Sequence, residues 1–434
     1  MNHNECQHYI DPVSNRLRKL TEANRSLAEI ETLDDLLLRL MDLAKEVTAA
    51  EASLLFLYNS ENRLLEIVSI KDDRFGDRAD ELFKSKGLVK LMIGEGIAGW
   101  VAQNRKAVMV EDAQSDPRFS KQADKQRGST TRTLICVPLV YRDELLGVLS
   151  VLNSRGKPFF DDEDLAILES FADLSAVAII RSKLLEHRIE QERLRTELDA
   201  AAKIQKLFWP KLPELGEGSH LWAFSEPAAS VGGDLYDVIP MPDASWLLYV
   251  ADVSGKGLPA ALMMAALSAK IRSIAPLQNE VHKLLANVNK EMHELISDEG
   301  FFATMVMSRY WPKTGKMNIA RAGHQYPLYV NNRGFQELSE PDGIPIGIEF
   351  RTEYEKAELV LSPGEAILLV TDGVTEAENE KSKLFGNEGL TDYFKMAKGP
   401  PWGEALLKKI GSWRGNAAMN DDLTMVEIWR DPPK

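Results

Sequence analysis

Between Asp161 and Trp209 the chain contains neither glycine nor proline. A span of that length without the two residues that interrupt helices predicts one long helix, with a folding unit on either side of it. The stretch opens with "DDED", and acidic side chains favour a helix N-terminus. Leu165, Leu168, Phe171, Leu174 and Ala178 follow the spacing of a helix packed on a domain. Further along, Leu184, His187, Gln191, Leu194, Leu198 and Ala201 form a heptad-like seam with two polar positions. That seam suits either an exposed linker helix or a parallel coiled coil, and a homodimer is expected. Pro210 should end the helix. The expected divisions are therefore 1–30 (an N-terminal helix, from Leu17, Leu20 and Leu27), 31–183, 184–209 and 210–434.

With 434 residues, 44% of them hydrophobic and 27% charged, the composition is that of a multidomain globular protein. The net charge of -14 disfavours nucleic acid as a partner. Cys6 and Cys136 cannot build a disulfide framework, and "MNHNECQHYIDPVSNRLRK" lacks an apolar signal core. No apolar run approaches membrane-spanning length, so no membrane partner and a cytoplasmic location are expected. "ASLLFLYN", "LLEIVSI", "TLICVPLVY" and "LLGVLSVLN" read as strands behind a helix "TLDDLLLRLMDLAKEV". After Pro210, "SWLLYVAD", "FFATMVMSRYW", "KMNIARAG", "AILLVTDG" and "LTMVEIW" read as strands, with helices over 258–275 and 279–296.

Aspartates recur at the ends of these apolar strands. Asp252 closes "SWLLYVAD" before Gly255 and Gly257, and Asp372 closes "AILLVTD" before Gly373. Asp234 follows a Gly-Gly pair, while Asp421 and Asp422 precede a strand. One Asp-Gly pair is usually a turn. Several carboxylates at strand ends, without a Cys/His cluster, suit hard oxygen-seeking cations such as magnesium or manganese. "SGKG" is not a P-loop, because Gly257 follows Lys256 where Ser or Thr is required.

The succession "IGEGIAGWVAQNRKAVMVEDAQSDPRF", "TLICVPLVYRDELLGVLSVLN" and "FFDDEDLAILESFADLSAVAI" resembles a GAF domain over residues 31–183. The resemblance implies an antiparallel sheet flanked by helices and a sensory role, with a small-molecule ligand of unknown identity. Asn153 is followed by Ser154 where cyclic-nucleotide-binding GAF domains carry Lys, so Asp162 and Glu163 are read as ordinary first-turn residues of the long helix. Cys136, inside an apolar strand pattern, is read as a buried structural thiol.

From "AAKIQKLFWP" through "SVGGDLYDV", "ADVSGKGLPAAL", "FFATM", "ARAGHQYPLYV", "GIPIGI", "LLVTDGVTEAEN" and "NDDLTMVEI", the chain resembles the type 2C metal-dependent protein phosphatases of the SpoIIE and RsbU branch. The fold expected for the whole chain is then α+β: a GAF domain, a linker helix, and an αββα sandwich. The resemblance implies two Mn2+ or Mg2+ ions that acidify a shared water for attack on a phosphoserine or phosphothreonine. Asp252 would bridge the ions, joined by the Val253 carbonyl and Asp234 on one and by Asp372 and Asp421 on the other. These four aspartates form the expected catalytic set, with Asp422 in support. Ser254 stands where eukaryotic relatives carry a candidate acid, His, so none is assigned. Arg321 is expected to face solvent and His324 to serve as a structural hydrogen-bonding residue. The substrate implied is a phosphoprotein, such as a STAS-type anti-sigma-factor antagonist. The alternative function is a non-catalytic scaffold that binds a partner through the same domain.

Overall fold

The computed structural model describes residues 30, 32–75, 90–121, 124, 128, 130–296, 300–331, 333–397 and 399–432. The N-terminal helix expected from Leu17, Leu20 and Leu27 lies outside them. The chain divides into two compact units, Met1–Glu192 and Arg193–Lys434.

The first unit is built on a six-stranded antiparallel sheet of order β3-β2-β1-β6-β5-β4. Its strands are β1 (Ala50–Asn59), β2 (Leu64–Asp72), β3 (Lys90–Met92), β4 (Val108–Val110), β5 (Leu134–Tyr141) and β6 (Glu144–Ser154). Alternation along the strands sends side chains to both faces. Ile135, Val137, Leu149 and Val151 pack against α1 (Leu33–Thr48) and Leu168, Phe171 and Ala172 of α3 (Asp162–Gln205). Leu134, Cys136, Val148 and Leu152 pack against Ile97, Val101 and Ala102 of α2 (Gly96–Asn104). Cys136 is a buried free thiol that accepts a hydrogen bond from Ser150 Oγ (3.1 Å), and burial pushes its pKa up to about 12. A thiol so placed is inert. Asn153 is also structural: its Oδ1 accepts from Arg132 N (2.7 Å) and its Nδ2 donates to Glu51 (3.0 Å). Asp162 and Glu163 lie in the first turn of α3, as expected.

That helix starts in the first unit and ends in the second. It stops at Gln205, four residues short of Trp209, and the chain leaves through turn hydrogen bonds from Leu207 N to Ile204 O (3.0 Å) and Phe208 N to Gln205 O (3.0 Å). Pro210 disfavours helical backbone in the residue before it, so the last turn tightens before the proline is reached.

The second unit is a sandwich of two five-stranded antiparallel sheets, β14-β11-β10-β9-β8 and β13-β12-β15-β16-β7. The strands that frame the site are β8 (Leu235–Pro240), β9 (Trp246–Val253), β10 (Ala303–Trp311), β11 (Lys316–Ala322), β15 (Ala366–Val370) and β16 (Leu423–Arg430). The others are β7 (Ser219–Glu226), β12 (Leu328–Asn331), β13 (Gly334–Glu337) and β14 (Ala357–Val360). Leu248, Val250, Val306, Ile319, Ile367, Leu369, Val426 and Ile428 fill the space between the sheets. Leu247, Tyr249 and Ala251 point the other way, onto α4 (Leu258–Ile274) and α5 (Val281–Ile296). Leu368, Val370 and Met425 likewise meet α6 (Gly386–Met396) and α7 (Gly403–Arg414). This is the helix–sheet–sheet–helix layering that the sequence predicts.

One expectation fails here. By length and hydropathy alone, Leu258–Leu277 is apolar enough to cross a membrane. Its inner face, Ala260, Met264, Leu267 and Ile271, is part of the core beside β9 and β10. Packing in a protein core and bilayer insertion ask for the same residue types, so hydropathy does not separate them.

Candidate metal centre at the edge of the sandwich

The parity that builds the inter-sheet core also aims the aspartates. Leu248 and Val250 face the second sheet, and two residues on Asp252 falls on the same side. Tyr236 and Val238 of β8 do the same, and two residues before Tyr236 comes Asp234. Leu235 pairs with Ala251, so the start of β8 lies beside the end of β9. On the other sheet Val370 pairs with Met425, which brings Asp372 after β15 close to Asp421 and Asp422 before β16. A hydrogen bond from Thr371 Oγ1 to Asp234 Oδ2 (2.8 Å) ties the two sheet ends together.

Close backbone approach requires the glycines of the loop before Asp234. A Cβ at Gly232 would lie 2.0 Å from Asp422 Oδ2, and one at Gly233 would lie 2.6 Å from the Val253 carbonyl oxygen. Asp422 accepts hydrogen bonds from Ala228 N (2.8 Å), Gly233 N (2.7 Å) and Asp234 N (3.3 Å). It is therefore a brace for this loop, the supporting place expected of it. Gln205 grips the same loop: its Nε2 donates to Gly232 O (2.6 Å) and its Oε1 accepts from Gly232 N (3.2 Å). Gly255 and Gly257 have φ of +94° and +73°, the left-handed backbone that glycine allows, so they shape the loop after Asp252.

Burial first, and then the charges of Asp372, Asp421 and Asp422, push the Asp252 pKa up to about 7, with Lys256 opposing them. Asp234 is raised by burial and then by Asp252 and Asp422. Asp372 is raised by burial and then by Glu376 and Asp421. Lys256 Nζ donates to Asn420 O (2.6 Å) and to Asp421 Oδ2 (3.1 Å). The structure thus gathers Asp234, Asp252, Asp372, Asp421 and Asp422 in one electrostatic cluster. Among the described residues no group of three or more His, Cys, Asp or Glu side chains stands close enough together, as placed, to hold a metal ion. The donor chemistry nevertheless fits a hard divalent cation. The acidic side chains and the Val253 carbonyl offer only oxygen, and their mutual repulsion is what positive charge relieves.

Residues around the cluster have local structural partners. Ser254 Oγ accepts from Phe302 N (2.9 Å), so the hydroxyl at the candidate-acid position stabilises its loop. His324 Nδ1 lies 2.7 Å from Thr304 Oγ1, and Thr304 pairs with Asp252 across the β9–β10 ladder. Burial lowers the His324 pKa to about 3, leaving a neutral imidazole. Arg321 corrects the expectation of a solvent-facing side chain. It is buried, donating to Pro341 O (3.1 Å), to His324 O (2.6 Å) and to Asp342, and it stacks over Tyr326 at 4.3 Å. The chain around Pro341 supplies acceptors that no local pattern announces. Gln205 and Thr371 were also missed. Strand parity, applied beyond Ile367 and Leu369, would have found Thr371, whereas Gln205 lies in the quoted stretch "AAKIQKLFWP" without any pattern that marks its partner.

Two face-to-face antiparallel sheets with helices outside, and carboxylates where strands of both sheets end, are the architecture that the resemblance to the type 2C phosphatases implies. Residues 242–431 match the family model of stage II sporulation protein E (SpoIIE), and residues 32–179 match that of the GAF domain. The chain carries a GAF domain followed by a SpoIIE-type phosphatase domain. Phosphoserine phosphatase RsbU of Bacillus subtilis is 30% identical over 197 residues, 45% of this chain and 58% of that protein. Protein IcfG of Synechocystis is 26% identical over 278 residues, 57% of this chain and 44% of that one. The chain spans less than two thirds of the length of either relative. Among solved structures, the SiaA-PP2C domain of Pseudomonas aeruginosa is 25% identical, with a TM-score of 0.48, covering 56% of this chain and 98% of that one.

Proposed function

We propose that this chain is a GAF-regulated, metal-dependent serine/threonine protein phosphatase. The observation that carries the reading is the convergence of Asp234, Asp252, Asp372 and Asp421 from the ends of two sheets, within a match to the SpoIIE family. Similarity to a phosphoserine phosphatase supports the substrate class, and a phosphorylated STAS-type anti-sigma-factor antagonist is the substrate we favour.

On this reading two divalent cations, Mn2+ or Mg2+, supply the Lewis acidity that activates water and screens phosphoryl oxygens. Asp252, the Val253 carbonyl and Asp234 would hold one cation; Asp372 and Asp421, with Asp252 shared, would hold the other. Thr371 orients Asp234, and Asp422 fixes the glycine loop that carries it. Lys256 holds Asp421 at the rim. With Ser254 engaged by Phe302 N–H, no side chain is assigned as general acid.

The GAF domain would sense a small molecule, and the chain would act in the cytoplasm as a homodimer joined along α3. Leu184 and Leu194, both on the seam of that helix, are 64% and 50% exposed, leaving apolar surface for a second copy. The direct test measures phosphate release from a serine-phosphorylated STAS protein by the full chain. Turnover should require added Mn2+ or Mg2+ and should fall by more than about 100-fold in Asp252→Asn. Tight binding of the phosphoprotein without turnover would establish the scaffold reading instead.

A further inference from the structure

The last turn of α3 reaches the metal centre through one side chain. Gln205 is 6% exposed and uses both ends of its amide on one residue, donating to Gly232 O at 2.6 Å and accepting from Gly232 N at 3.2 Å. Gly232 is two residues before Asp234. The other side of this loop is fixed by Asp422, whose carboxylate leaves no room for a Cβ at Gly232. The loop is therefore held from two directions, by the β16 entrance and by the end of the helix. Asp422 stands or falls with its own sheet, whereas Gln205 belongs to a helix that begins at Asp162. Immediately beyond Gln205 the helix gives way to turns, so its final residue carries this contact.

We propose that Gln205 is a positioning residue: its clamp on Gly232 is the joint through which α3 sets the loop that presents Asp234. The inference rests on the reading of this edge as a metal centre under control of the linker helix. When α3 turns or shifts, the paired bonds move with it, and the loop must either follow or lose both. Losing them leaves the buried amide groups of Gly232 without partners, so the held and released loops differ in energy as discrete states. A ligand that prefers one helix setting can then select between them.

Mn2+ titration of the full chain, followed by the electron paramagnetic resonance of free Mn2+, tests this without turnover. Gln205→Leu keeps the bulk of the side chain and removes both hydrogen bonds. Its Mn2+ affinity should fall by about 10–100-fold, the range seen when an outer partner of a metal ligand is lost, while its thermal unfolding stays cooperative. Gln205→Glu keeps the acceptor but loses the donor to Gly232 O, and it is read the same way if Gln205→Leu does not fold. A four-residue insertion after Glu190 should alter Mn2+ affinity in the otherwise natural chain and have no further effect in Gln205→Leu. Natural Mn2+ affinity in Gln205→Leu would overturn the proposal, and so would an insertion effect that persists undiminished without the clamp. A chain that binds Mn2+ but hydrolyses no phosphoprotein would refute the phosphatase reading and leave the clamp to be judged by its own titration.

Discussion

Gly233 shows how much of the site depends on what a residue lacks. Its missing Cβ would stand 2.6 Å from the Val253 carbonyl oxygen and 3.4 Å from Ala260 Cβ. Because the first of these is backbone, a rotamer change cannot relieve the clash. Gly233→Ala should destabilise the second unit by about 1–3 kcal/mol, as overpacking does, and weaken Mn2+ binding as well. Urea unfolding checks the first effect; an unchanged midpoint would mean that the loop has slack the close contacts do not suggest. Away from the site, Asp243 offers a pH signature. Burial would raise its pKa, but hydrogen bonds from Ser245, Arg309 and Trp311 outweigh that and hold it well below the usual carboxylate range. A carboxyl with a depressed folded pKa binds fewer protons folded than unfolded, so its contribution is present above about pH 3.9 and is lost as pH falls below it. The gap in melting temperature between the natural chain and Asp243→Asn should therefore begin to narrow near about pH 4 and go on narrowing as pH falls further toward the depressed folded pKa. Parallel curves would show that Asp243 is not held by these partners. Sequence made the aspartates legible because each sits at a strand end, with glycine adjoining Asp234 and Asp372 and following shortly after Asp252. It did not reveal the contact of Gln205 with Gly232, 27 residues away, or the burial of Arg321, whose acceptors include Pro341 O, 20 residues away.

Among elements, α3 was the most legible, because the absence of glycine and proline is a property of the whole span rather than of any one residue. Its end was not: the turn before Pro210 is set by hydrogen bonds that form only in the folded chain. The central strands β9, β10, β15 and β16 were legible as apolar runs because both their faces are covered. The short strands β3, β4, β12, β13 and β14 are three or four residues long, and such lengths leave no readable period. The regulatory reading of α3 makes a mechanical prediction. Four residues inserted after Glu190 rotate the downstream helix by about 40°, whereas seven come within about 20° of restoring the seam. The four-residue insertion should fix phosphatase activity in one state, and the seven-residue insertion should retain regulation. Identical behaviour of the two, measured by phosphate release, would reduce α3 to a spacer.

At the scale of the molecule, a GAF-type unit and the sandwich share one helix, and the aspartate edge belongs to the sandwich. The layering was legible through the resemblance to the type 2C phosphatases, not through chain order, in which two pairs of helices interrupt a succession of strands. The assembly of the edge was not, since it depends on two sheets meeting so that Thr371 reaches Asp234 from 137 residues away. Everything proposed for this edge rests on its holding divalent cations through Asp252. Equilibrium dialysis of the full chain against Mn2+, at neutral pH, measures that directly for the natural protein and for Asp252→Asn. Two ions bound per natural chain, with both weakened in the variant that loses the shared ligand, are the expected result; equal Mn2+ uptake by the two proteins, or none by either, would contradict it.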